Sequence, residues 1–111
     1  MEKKIKKYIY IAHPITIGQP DRNMRNMIDA CEEVWKLGCF AYGAFLNIMW
    51  EVVYPKTEGE YLKHDIAWMK KCDIAWRIPG ESKGADKEID KAIKAGIPIV
   101  YSLKELKKLL K

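Results

Sequence analysis

The chain alternates short apolar runs with longer stretches in which apolar residues recur every three or four positions. Residues 5–12, rich in isoleucine and tyrosine and stopped by His13-Pro14, read as a strand. After a loop with Gly18 and Pro20, the residues Met24, Met27, Ile28, Cys31, Val34 and Trp35 fall at helical spacing. They predict a helix over about 22–37, capped by Asp21 and closed by Gly38. A short strand is expected at 39–42. The stretch 43–56 is apolar without a clear period and reads as a wall or lid holding one helical turn. Further on, the pattern predicts a helix over 58–71, a strand over 73–78 and a helix over 83–95 ended by Gly96. A strand over 97–101 and a terminal helix over 102–111 complete the series.

Nearly all-apolar strands that alternate with helices imply a parallel sheet covered on both faces. Right-handed crossovers then give an α/β, doubly wound sheet of four to five strands, a flavodoxin-like or Rossmann-like three-layer sandwich. Such sheets bind ligands at the carboxyl ends of their strands, which here selects the loops 12–20, 42–47 and 78–84.

Composition narrows the class. A chain of 111 residues predicts one domain over 1–111, and 49% hydrophobic with 32% charged residues is ordinary for a globular protein. The apolar run 40–50 is broken by Gly43 and Asn47 and is too short to span a bilayer, so no membrane partner is expected. Met1-Glu2-Lys3-Lys4 leads into a strand without an apolar signal core, which places the protein in the cytoplasm. Cys31, Cys39 and Cys72 have no CxxC spacing and sit in apolar contexts, so reduced thiols are expected. His13 and His64 lie far from any cysteine pair, and neither a metal nor an organic cofactor is expected. The net charge of +5 comes from scattered lysines with no basic stripe between aromatics. That describes a solvated basic surface, with a field that attracts a phosphorylated small molecule as the milder functional reading, and no nucleic-acid polymer is expected as partner.

Polar residues in apolar places carry the candidate chemistry. In the helix after Ser82, Ala85, Ile89, Ala92 and Ile93 share one face, and Glu88 borders it within the first two turns. A partly desolvated carboxylate, kept ionised near a helix N-terminus, suits a nucleophile; a helix-start glutamate favoured by the dipole fits the same pattern. Asp65 falls inside the stripe Leu62, Ile66, Met69. A buried carboxylate needs a partner: loop backbone, His13, a tyrosine hydroxyl or a substrate. Ser82 reads as an N-cap or as part of a phosphate-holding loop with Gly80 and Gly84, where the backbone can approach a ligand closely. Tyr10, near the end of the first strand, either aims its hydroxyl at a carboxylate in the site or simply packs there, and His13 is either a satisfied loop histidine or a base. Trp50, Trp68 and Trp76 are expected mostly in the core.

Three segments together resemble one family: Ile9-Tyr10-Ile11-Ala12-His13-Pro14, Asp65-Ile66-Ala67-Trp68-Met69-Lys70-Lys71-Cys72-Asp73, and Pro79-Gly80-Glu81-Ser82-Lys83-Gly84-Ala85-Asp86-Lys87-Glu88. In this order they are similar to the nucleoside 2-deoxyribosyltransferase superfamily, especially its 2′-deoxynucleoside 5′-phosphate N-hydrolase branch. The resemblance implies cleavage of an N-glycosidic bond in a nucleoside or nucleotide without a cofactor. Glu88 would form a glycosyl-enzyme, Tyr10 would position it, and Asp65 would bind a sugar hydroxyl or help the base leave. Ser82 would hold the 5′-phosphate or 5′-hydroxyl. It also implies a homodimer or larger homo-oligomer, for which Phe45, Ile48, Met49 and Trp50 are the exposed-looking candidates. Ile15-Thr16-Ile17 stands where phosphate-hydrolysing relatives carry an arginine, which leaves the 5′-phosphate requirement open. The other reading is a nucleotide-binding module without turnover.

Overall fold

A computed structural model of the chain describes residues 7–14 and 20–111. Four strands, β1 (Tyr8–Ala12), β2 (Phe40–Gly43), β3 (Ile74–Arg77) and β4 (Ile99–Val100), form one sheet in the order β2-β1-β3-β4. Every pairing is parallel, with Tyr10 opposite Tyr42 and Ala75. Five helices connect or follow the strands: α1 (Pro20–Lys36), α2 (Leu46–Val53), α3 (Glu58–Met69), α4 (Lys83–Lys94) and α5 (Leu103–Leu109).

The alternation of side chains along β1 divides the core. Ile9 and Ile11 point to one face, where Met27, Ala30 and Val34 of α1 and Leu106 of α5 cover them. Tyr10 and Ala12 point to the other, against Met69 of α3 and Ala85, Ile89 and Ala92 of α4. The result is the expected three-layer α/β sandwich, and its strand order turns back between β1 and β3. The crevice at their carboxyl ends is where such a fold receives a ligand.

Several local expectations are corrected. Helix α1 begins at Pro20, whose missing N–H costs nothing in a first turn, so Asp21 is the second residue of the helix and not the residue before it. The first strand's expected start at residues 5 and 6, and much of the loop 12–20, lie outside the described residues. The stretch 43–56 holds the two-turn helix α2 in place of a single turn. Its polarity is inverted: Asn47 is its buried residue, whereas Met49 and Val52 are 66% and 78% exposed. This is why no core-facing period was visible there. Strand β4 has two residues where five were expected, because Pro98 offers no N–H to the ladder and Ser102 already caps α5. Ala95 is the C-cap of α4, and Gly96 follows it at φ +78, a left-handed conformation that glycine adopts without strain. The three cysteines are free thiols, Cys39 buried and Cys31 and Cys72 partly so.

Candidate active site

Helix α4 packs Ala85, Ile89 and Ala92 on the sheet, and the same face carries Glu88, only 6% exposed. Beneath it, the fully buried Tyr10 of β1 donates its hydroxyl proton to Glu88 Oε2 at 2.9 Å. Burial pushes the Glu88 carboxyl up to about 8; the nearby Asp65 adds to the rise, while the Tyr10 hydrogen bond and the Arg77 charge oppose it. Glu88 is the sixth residue of its helix, beyond the first turn where the dipole is strongest. Burial therefore outweighs the helix end and favours the protonated carboxyl at neutral pH, a correction to the ionised state expected from the sequence. Tyr10 itself is driven well above its usual value, by burial first and the Glu88 charge next, so it remains a donor.

Asp65 faces the same region from α3 and is 4% exposed. Its hydrogen-bond partner is none of those anticipated: Asn47 Nδ2 of α2 donates to Asp65 Oδ2 at 2.9 Å. His64 Nδ1 stands 3.7 Å from the other oxygen. Burial raises Asp65 to about 6, with the Asn47 bond and His64 acting against the rise. Asn47 Oδ1, Asp65 Oδ1 and the Tyr42 hydroxyl are buried without hydrogen-bond partners, a cost that a ligand's polar atoms can remove. Tyr42 stacks between Tyr10 and Trp68, with ring centroids 5.8 and 5.4 Å away. Of the three tryptophans expected in the core, Trp76 is buried, Trp50 is half-buried and Trp68 is 49% exposed; Trp68 is held outward by its stack on Tyr42.

The turn from β3 to α4 supplies the third part. Ser82 is the N-cap of α4, its Oγ accepting from the Ala85 N–H at 3.0 Å, which leaves its own proton free to be donated. Gly80 has φ +136, and a Cβ there would lie 2.8 Å from Pro14 Cγ, so backbone conformation and close packing on the β1 end both demand glycine. Gly84 sits half-buried in the first turn of α4. The buried His13 donates from Nδ1 to the Pro14 carbonyl at 2.7 Å, so the neutral ring offers Nε2 as an acceptor, and that atom has no partner. Burial lowers the His13 pKa and favours this neutral form.

The structure thus joins Tyr10 directly to Glu88 and brings Asp65 within electrostatic reach of both. Ser82 and His13 form no hydrogen bond with either carboxylate. Sequence reasoning missed Asn47, Tyr42 and Arg77. The available signals were a lone amide in an apolar run and a lone arginine closing an apolar strand. Hollows of about 440 and 290 Å³ flank α3, the smaller lined by Tyr8, Phe40, Tyr42 and Trp68, and neither is walled by Glu88. Among the described residues, no group of three acidic, histidine or cysteine side chains could hold a metal. No helix there is long and apolar enough to cross a membrane.

Two solved structures share this architecture. A 2-deoxyribosyltransferase from the psychrotolerant bacterium Bacillus psychrosaccharolyticus superposes with a TM-score of 0.66 at 23% identity, over 83% of this chain and 69% of that one. A 2-deoxyribosyltransferase from Leishmania mexicana gives 0.62 at 20% identity, over 84% of this chain and 61% of its own length. At these identities the likeness is one of fold. By sequence, no curated protein matches the chain. Residues 7–102 match the profile of a domain of unknown function, DUF7768, and with that span covering all four strands and the site the chain belongs to this family.

Proposed function

We propose that this chain cleaves the N-glycosidic bond of a nucleoside or nucleotide through a covalent intermediate on Glu88. The observation that carries the reading is the buried Tyr10–Glu88 pair between β1 and α4. The tyrosine hydroxyl holds one carboxylate oxygen and leaves the other to attack the anomeric carbon. In the first step a Glu88 oxygen bonds to C1′ as the C1′–N bond breaks, its electron pair leaving with the base. Asp65, with a pKa near 6, can hand the departing nitrogen a proton. In the second step water, or the nitrogen of another base, attacks C1′ and frees the Glu88 carboxylate while its proton passes to the Asp65 carboxylate, the two-stage logic of retaining glycosidases. Ser82, Gly80, Gly84 and His13 would face the 5′ end of the sugar, and Trp68, stacked on Tyr42 and 49% exposed, offers an aromatic face for the base. The two superposed structures are of 2-deoxyribosyltransferases, which supports the reading at the level of fold.

A second reading, a nucleotide-binding module without turnover, draws on one observation. With Glu88 near 8, roughly a tenth of molecules carry the carboxylate at pH 7. Incubation with ribo- and deoxynucleosides and their 5′-monophosphates, with and without a second free base, separates the two. Under the enzyme reading chromatography shows free base or a swapped nucleoside, in yields that are highest between about pH 6 and pH 8 and fall on either side. Thermal stabilisation by a nucleotide with no product at any pH would replace the enzyme by the binder.

A further inference from the structure

Arg77 ends β3 on the same sheet face as Tyr10, buried under the start of α4. That is an unfavourable place for a cation, because the helix N-terminus is itself positive. Three contacts offset the cost. Nη1 donates to the Ile78 carbonyl, and Nη2 donates to the Gly80 carbonyl at 2.8 Å and to Asp86 Oδ1 at 3.0 Å. The guanidinium fork therefore ties the turn after β3 to the first turn of α4, between the two residues, Ser82 and Glu88, that the function assigned above places on the substrate. We propose that Arg77 is a positioning residue of this site: it holds the β3–α4 turn and presents a fixed buried cation to the Glu88 carboxylate. The inference rests on that reading for its catalytic consequence, but the positioning itself is measurable without turnover.

Among the described residues, the other groups facing Glu88 are Tyr10 from β1, Tyr42 from β2 and Asp65 from α3, none of them cationic. Asp86, on α4 and 70% exposed, partly neutralises Arg77. Two substitutions should then move Glu88 in opposite directions. Arg77→Met removes the cation, which raises the Glu88 titration and lowers its carboxylate fraction at pH 7. Asp86→Asn leaves the cation less compensated and lowers it. Arg77→Lys keeps a charge but cannot span both carbonyls and Asp86, so it should hold the titration near wild type while raising KM.

The test is a pH titration of ¹³C-labelled glutamate carboxyls by NMR, with Glu88→Gln identifying the signal, alongside pH profiles of kcat/KM on whichever nucleoside is cleaved. Opposite shifts in the Met and Asn variants support the proposal; should Arg77→Met fail to fold, the Asn variant decides it. An unmoved Glu88 titration in the folded Met or Asn variant overturns it. If the shifts occur but the wild type cleaves no nucleoside, the proposed function falls and the role of Arg77 stands.

Discussion

Replacing Glu88 by glutamine should abolish cleavage and make the protein more stable, with a gain that depends on pH. The side chain is 6% exposed and burial raises its carboxyl from about 4.5 to about 8. A carboxyl whose pKa is higher in the folded state stabilises folding below its unfolded value and loses that contribution as pH rises through the folded one. Wild type should therefore lose stability between about pH 4.5 and 8, and at pH 8 the buried ionised group costs on the order of 4 kcal/mol. Glutamine carries no charge and can still accept the Tyr10 hydrogen bond through its carbonyl, so the variant should lack this slope. At roughly 4 °C per kcal/mol for a domain of this size, the variant should melt about 15 °C above wild type at pH 8. The gap should close near pH 4.5. Asp65, raised to about 6, titrates with the same sign but is present in both proteins and largely cancels. Circular dichroism melts from pH 4.5 to 9 give the comparison, and chromatography of nucleoside digests gives the activity. Parallel melting curves across that range would refute the claim that folding desolvates Glu88. A variant with full turnover would refute its role as nucleophile.

Three other expectations follow from single contacts. Ser82→Ala removes the acceptor of the Ala85 N–H and should cost about 1 kcal/mol of stability. If Ser82 also faces the substrate, KM should rise more for 5′-monophosphates than for nucleosides, and equal changes would leave it a helix cap alone. Asn47→Ala deprives buried Asp65 of its donor, costing about 1–3 kcal/mol, and should raise the Asp65 pKa above 6. The break near pH 6 in the pH–rate profile should then move upward; an unchanged break would remove Asp65 as the proton donor. Finally, α2 turns Met49 and Val52 to solvent, a face suited to pairing with a second copy of the chain. Met49→Lys or Val52→Lys should turn an oligomer into a monomer by light scattering, and a monomeric wild type would end that idea.

Layer architecture was legible in the sequence because it depends on periodicity alone. The pattern Ile9, Ile11 against Tyr10, Ala12 already says that both faces of β1 are covered, and the stripes of α1 and α4 say by what. The same logic exposed Asp65 and Glu88, since a carboxylate within an apolar stripe stands out in one dimension. Partners could not be found this way. Asn47 meets Asp65 because α2 buries its one amide and exposes its apolar side, the reverse of the arrangement a hydrophobic pattern assumes. Arg77 is spoken for by two carbonyls and Asp86 nine residues on, a match made by the turn's conformation and not by any spacing rule. The protonation of Glu88 was likewise a tertiary matter. Sequence placed it near a positive helix end, but its charge state depends on how much water the packed sheet, Tyr10 and Asp65 leave around it, and desolvation is the larger effect.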